Sequence, residues 1–208
     1  MRHFVLGFAL VCAAPAFAQD VARMDKVAAA EADSGAFMGA VLVAQDGRIL
    51  FDKGYGSANL EWKIPNDGET KFRLGSITKQ FTAASILLLQ ERGKLRLDAP
   101  VKTYLPDAPA AWDKVTVFHL LTHSAGIPNF TSFDEYSASR TQATTLDALI
   151  ARFRGKPLDF APGERHSYSN SGYVLLTAII EKASGQPYAA FVAENLFKPL
   201  GMADSGYD

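Results

Sequence analysis

Apolar positions along this chain follow two different periods. Over residues 20–34, Val21, Met24 and Val27 recur at helical spacing, Ala28 to Ala30 follow, and Gly35 breaks the pattern. Gly39 to Ala44 is a compact apolar run, Gln45-Asp46-Gly47-Arg48 interrupts it, and Ile49, Leu50 and Phe51 open the next run. Two β-rich runs on either side of Asp-Gly predict a hairpin, with strands near 39–45 and 48–57. Residues 58–74 read as irregular, with Pro65, Asn66, Asp67 and Gly68 as a loop. The clearest helix spans Ser76 to Arg92, with Ile77, Phe81, Ala84, Leu87 and Leu88 as its apolar face and Gly93 as its stop.

The remainder is mostly helical. Thr116 suits the cap of a short helix through Leu121, and Thr144 or Thr145 the cap of one reaching Phe153. Residues 130–143 and 157–163 read as loops. Ser171 to Ala183 predicts a helix with Val174, Leu175, Ala178 and Ile179 on one side and Gly185 after its end, and a last helix fits 187–197. The order is helix, two strands, then helices, an α+β pattern. A two-stranded sheet is marginal by itself, so the hairpin needs partners.

The first residues change the picture of where the chain works. Arg2 and His3 give a basic start, Phe4 to Ala14 an apolar run, and Ala16-Phe17-Ala18 a small-x-small cleavage pattern. They predict a signal peptide over 1–18 and a single domain over 19–208. The apolar run is too short for a membrane span, so none is expected after cleavage. The only cysteine, Cys12, lies inside the signal and follows Val11, not the small residue that lipidation would want. The mature chain then has no thiol, which excludes thiol catalysis and cysteine-ligated zinc. Export without disulfides points to a bacterial periplasm or to secretion. The hydrophobic fraction of 48% suits a packed core, and the net charge of -1 without a basic stripe argues against nucleic acid as a partner.

Candidate chemistry begins at Ser76-Ile77-Thr78-Lys79. Residues i and i+3 share a helical face, so Lys79 can reach the Ser76 hydroxyl. A serine hydroxyl is a weak nucleophile until a base takes its proton. The N–H groups and positive dipole end at a helix start favour negative charge there. The same residues also suit a plain helix start, with serine as cap and lysine on a solvated face. Tyr168-Ser169-Asn170 is the second candidate: the phenol could relay protons and the Asn170 amide could hold a substrate carbonyl, although these residues also fill ordinary turns. His119 and His123 stand at i,i+4, but Leu120, Leu121 and Thr122 between them give no His-Glu-x-x-His arrangement. No metal or other cofactor is expected. His119 reads as a core or interface residue and His123 as bonded to a loop carbonyl near Gly126; His166 has no assigned role. No Gly-x-Ser-x-Gly elbow supports a Ser-His-Asp triad.

Together these stretches resemble the serine β-lactamase and penicillin-binding superfamily, in its class C-like and esterase-like branch. The resemblance rests on Phe72 to Lys79, Leu120 to Ile127, Pro162-Gly163-Glu164 through Asn170, and Pro199-Leu200-Gly201-Met202. It implies a β-lactamase-like, transpeptidase-like α+β fold. It also implies an acyl-enzyme on Ser76 formed from a β-lactam, a D-Ala peptide or an ester. Lys79 and Tyr168 would share the proton work, with the base left open between them. Asn170 would help hold substrate, and the Ser76 backbone N–H would form half of an oxyanion hole.

The departure is as informative as the match. The family carries a Lys-Thr-Gly-like triplet on a strand well after Tyr-x-Asn, and no such triplet follows Asn170 here. Lys102-Thr103-Tyr104 precedes the second motif and lacks the glycine. The sequence is therefore expected to be the N-terminal part of a longer member, without the later sheet strands and C-terminal helix. Its hairpin edge would be open, and the 208-residue chain would be poorly stable and nearly inactive. The alternative is a non-catalytic protein that binds peptides or a partner.

Overall fold

A computed structural model describes residues 20–207; the expected signal peptide over 1–18 lies outside them. The chain divides into two compact units between Phe72 and Arg73.

The first unit opens with α1 (Val21–Asp33), capped by Asp20, whose carboxylate accepts the Arg23 N–H at 3.0 Å. Strands β1 (Gly39–Gln45) and β2 (Arg48–Tyr55) pair antiparallel, with register Gly39↔Tyr55 at one end and Gln45↔Arg48 at the other. Asp46 and Gly47 join them with φ of 50° and 74°, the left-handed pair that fits the twist of a two-residue hairpin. Lys53 and Tyr55 are two residues apart and so share a face of β2. Both reach Asp25 of α1, each at 2.7 Å, which ties helix to hairpin. The stretch expected to be irregular holds a second small ladder, β3 (Ser57–Asn59) paired with β4 (Ile64–Pro65). Asn66 follows it and donates its amide to the Tyr55 carbonyl at 2.8 Å.

The second unit carries the main core. A 3₁₀ turn (Gly75–Thr78) leads into α2 (Lys79–Glu91), followed by α3 (Val117–Leu121), α4 (Tyr136–Ser139), α5 (Leu146–Arg154) and α6 (Asn170–Ser184). Then α7 (Tyr188–Val192) runs on into a π-helical turn (Ala193–Phe197). Helix α6 is the hub: it packs on α2, α3, α5 and α7, and its Leu175, Leu176, Ile179 and Ile180 are fully buried. Phe153 of α5 stacks between Trp112 and Phe130, with ring centroids 6.1 Å apart on each side.

Three expectations about this unit need correction. The buried face of α2 is Thr82, Ser85, Ile86 and Leu89, whereas Ile77 and Leu87 are exposed. Two polar residues can occupy that face because each has a partner. Thr82 Oγ1 meets the Tyr188 hydroxyl at 2.7 Å, and the Ser85 hydroxyl donates to the Phe81 carbonyl at 2.8 Å. His119 is a capping residue: it completes a capping box in which Thr116 accepts the His119 N–H and His119 Nδ1 accepts the Thr116 N–H. The segment 130–143 is not all loop, since it holds a 3₁₀ turn (Phe130–Ser132) and α4. Thr145, not Thr144, caps α5.

One glycine fixes how two loops meet. Gly126 has φ of 74°, and a Cβ there would stand 2.1 Å from the Phe160 carbonyl oxygen. The bare backbone allows the Asp159 N–H to reach the Gly126 carbonyl at 2.8 Å. That pairing holds the segment after α3 against the segment before α6.

Candidate active site

The second unit brings all four sequence-predicted site residues together. Ser76 sits in the 3₁₀ turn and Lys79 is the first residue of α2. In a 3₁₀ turn residues i and i+3 eclipse, so the turn aligns the two side chains more directly than a continuous α-helix would. Lys79 Nζ lies 3.2 Å from Ser76 Oγ. Tyr168 and Asn170 arrive from the start of α6. The phenol oxygen of Tyr168 stands 2.7 Å from Ser76 Oγ, and Lys79 Nζ donates to Asn170 Oδ1 at 2.8 Å. The Tyr168 hydroxyl also points to Asn170 Oδ1, at 3.3 Å. Asn170 is therefore first a partner of Lys79, and one of its two amide hydrogens is already given to Thr131.

Aromatic rings wall in the ammonium of Lys79. It lies 4.9 Å from the centre of the Tyr168 ring and 5.4 Å from that of Tyr173. Burial pushes the Tyr168 phenol up, but Lys79 and the hydrogen bond with Ser76 outweigh it. The phenol ends below its ordinary value of 10. Ser76 is exposed and Lys79 half-buried, so the hydroxyl is open while the ammonium beside it is held.

His123 was expected to bond a loop carbonyl, and its role is different. Its backbone is left-handed, with φ of 55°, an arrangement histidine tolerates better than most residues. The ring lies against Tyr168 and Tyr173, with centroids 4.6 and 5.1 Å away. Nδ1 accepts the Ser169 N–H at 3.2 Å, and the His123 carbonyl accepts the Ser167 N–H at 2.8 Å. Burial, then the charges of Lys79 and His166, hold the imidazole below its ordinary value of 6.5. A neutral ring is what accepting at Nδ1 requires.

Comparison with known proteins agrees with this arrangement of elements. The β-lactamase family model matches residues 24–208. The chain belongs to the β-lactamase family. Its relatives in that family include penicillin-binding protein 4* of Bacillus subtilis strain 168, 39% identical over 174 residues, which are 81% of this chain and 38% of that protein. Esterase EstB of Burkholderia gladioli is 37% identical over 201 residues, 89% of this chain and 51% of that protein. The crystal structure of a penicillin-binding protein from Bacillus halodurans superposes with a TM-score of 0.78 at 33% identity, over 86% of this chain and 57% of that one. The chain thus spans 38% and 51% of the two curated relatives. Its fold is the α+β fold of β-lactamases and penicillin-binding proteins, represented by the part those matches cover.

In this β-lactamase-family chain, sequence reasoning missed two polar neighbours of the site. Asn129 drew no site role from the sequence, and Thr131 fell in the stretch 130–143 read as a loop. Both touch Asn170: Asn129 Oδ1 accepts its backbone N–H at 3.0 Å, and Thr131 Oγ1 accepts its side-chain amide at 3.0 Å. Two short polar side chains at i and i+2 just before an aromatic-rich segment were the available signal, and it does not stand out from turn chemistry. Among the described residues no group of three or more His, Cys, Asp or Glu could hold a metal, and no helix is long and apolar enough to cross a membrane.

Proposed function

We propose that this chain carries the acylating half of a serine hydrolase site, with Ser76 as nucleophile. The carrying observation is the 2.7 Å contact between Ser76 Oγ and the phenol oxygen of Tyr168, a phenol held below its ordinary value. Ser76 Oγ attacks the carbonyl carbon of a β-lactam, a D-Ala peptide or an ester. Its proton passes to the phenolate form of Tyr168, whose oxygen stands closer than Lys79 Nζ does. The positive charge of Lys79 favours that phenolate before the transfer, which leaves Tyr168 as a neutral phenol, and Asn170 Oδ1 holds Lys79 in place. The tetrahedral oxyanion gathers at the Ser76 N–H, in the first turn of a helical segment whose leading N–H groups have no intrahelical partner. Collapse breaks the bond to the leaving nitrogen or oxygen, which takes the proton back from Tyr168. The acyl group stays on Ser76 until water removes it.

The same reading extends to place. Export, with Gln19 as mature N-terminus and the periplasm or exterior as destination, fits the substrates proposed.

Intact-protein mass spectrometry of the chain after incubation with a fluorescent penicillin, and separately with a p-nitrophenyl ester, tests the proposal. A single covalent adduct mapped to Ser76 and absent in Ser76→Ala supports it. An unmodified protein at high reagent concentration overturns it and leaves a binding protein.

A further inference from the structure

The orientation of the Asn170 amide follows from a single backbone N–H. A backbone N–H only donates, so the Asn129 atom 3.0 Å from Asn170 N must be Oδ1, the acceptor. The other end of that amide, Nδ2, donates to Ser132 Oγ at 3.1 Å, in agreement. Thr131 Oγ1 also stands 3.0 Å from Asn129 Oδ1. An amide oxygen cannot donate, so the hydroxyl proton of Thr131 is committed to it. Thr131 then has only lone pairs left for Asn170, and the atom of Asn170 facing it at 3.0 Å must be Nδ2. The opposite end of the Asn170 amide is the oxygen, and it is this end that meets Lys79 at 2.8 Å.

We propose that Asn129 and Thr131 are positioning residues for the nucleophile's lysine: they lock the Asn170 amide so that its oxygen, never its nitrogen, faces Lys79. The inference rests on the reading of Ser76 and Lys79 as the reacting pair. The lock has a chemical consequence. With Oδ1 facing it, Lys79 spends one hydrogen on Asn170, and its remaining directions are turned to Ser76 Oγ, 3.2 Å away. A flipped amide would set Nδ2 hydrogens against the ammonium, and Lys79 would swing off the hydroxyl. Tyr168 would lose the same acceptor, because its hydroxyl also points to Asn170 Oδ1. Asn129 and Thr131 are half-buried, and they act on Lys79 through Asn170.

The test compares Thr131→Val, Thr131→Ser and Asn129→Ala in the full chain by two readouts. One is the rate of Ser76 labelling by a fluorescent penicillin. The other is hydrogen exchange of the Asn170 side-chain amide by NMR, assigned by its loss in Asn170→Asp. Thr131→Val keeps the shape and removes the hydroxyl; it and Asn129→Ala are expected to slow labelling roughly 10- to 100-fold and to speed exchange of the Asn170 amide. Thr131→Ser is expected to restore most of both. Wild-type rates in Thr131→Val, or a Thr131→Ser protein as impaired as Thr131→Val, overturn the inference, since the methyl and not the hydroxyl would then matter. If wild-type Ser76 takes no label, the hydrolase reading fails, and the amide exchange rates alone decide whether the lock exists.

Discussion

The Ser76 hydroxyl and the Tyr168 phenol are 92 positions apart in the sequence and 2.7 Å apart in space. Neither the Ser-x-x-Lys spacing nor the Tyr-x-Asn spacing implies that distance; the docking of α2 on α6 creates it. If Tyr168 takes the serine proton, Tyr168→Phe removes the acceptor and leaves the ring packing on His123. Its rate of labelling by a fluorescent penicillin is expected to fall about 100-fold or more, the usual scale for losing a positioned base. Circular dichroism should be unchanged. A loss of only a few-fold would move the base to Lys79.

Titration of the phenols tests the electrostatics directly. Tyr168 is expected to ionise below 10. Burial and the Asp25 hydrogen bond push Tyr55 up to about 12, and burial first of all raises Tyr173 and Tyr188, so these three ionise late. Absorbance at the phenolate band should show an early component that disappears in Tyr168→Phe. In Lys79→Met the early component should move to higher pH, because burial persists while the opposing charge is gone. The sign for stability follows: a phenol lowered in the fold adds stability above 10 and loses it as pH falls through the folded value, so at neutral pH this shift contributes nothing to folding.

His123 gives the opposite window. Its imidazole is lowered by burial, then by Lys79 and His166, so the folded state holds it neutral. Stability linked to it is complete above the ordinary value of 6.5 and fades as pH falls below that. The urea midpoint of the wild type is expected to drop between pH 7 and pH 5 more steeply than that of His123→Asn, which tolerates the left-handed backbone and has no imidazole to protonate. Equal slopes would show that the ring is not held neutral.

Gly126→Ala should be among the costlier single-methyl changes in the second unit. It adds a Cβ 2.1 Å from the Phe160 oxygen and forces φ of 74° on an alanine. A loss of at least about 2 kcal/mol in equilibrium urea unfolding is expected. Because the contact joins the segments that carry His123 and Tyr168, labelling at Ser76 should fall with it. A variant as stable as wild type would mean that the two loops shift apart at little cost.

Legibility from sequence depended on whether a residue's partner was local. The hairpin was readable because Asp46 and Gly47 specify their own turn, and α6 because Leu175, Ile179 and Gly185 mark its face and its end. The Ser76–Lys79 pair was readable because it lies within one turn. The buried face of α2 was misread because Thr82 looks like a surface residue until Tyr188, 106 positions later, supplies its hydrogen bond. His123 was misassigned for the same reason: its partners are Tyr168, Ser169 and Tyr173, all on the far side of the loop. Asn129 and Thr131 have ordinary turn chemistry, and only the arrival of Asn170 gives their polarity a direction. What a pattern of residues cannot specify is which distant donor completes a buried acceptor.

The docking of α2 against α6 has a consequence for how this chain can be watched. A serine without an acceptor for its proton is chemically mute, and Tyr168 reaches Ser76 only when the two helices are seated. Covalent labelling of that one hydroxyl, under the proposed function, would report native assembly protein by protein in a mixture where spectroscopy sees only an average. Measured along a denaturant gradient, the labelled fraction would trace the closing of that helix pair separately from the melting of the hairpin unit. It would show whether the two halves of the chain fold as one cooperative event or two.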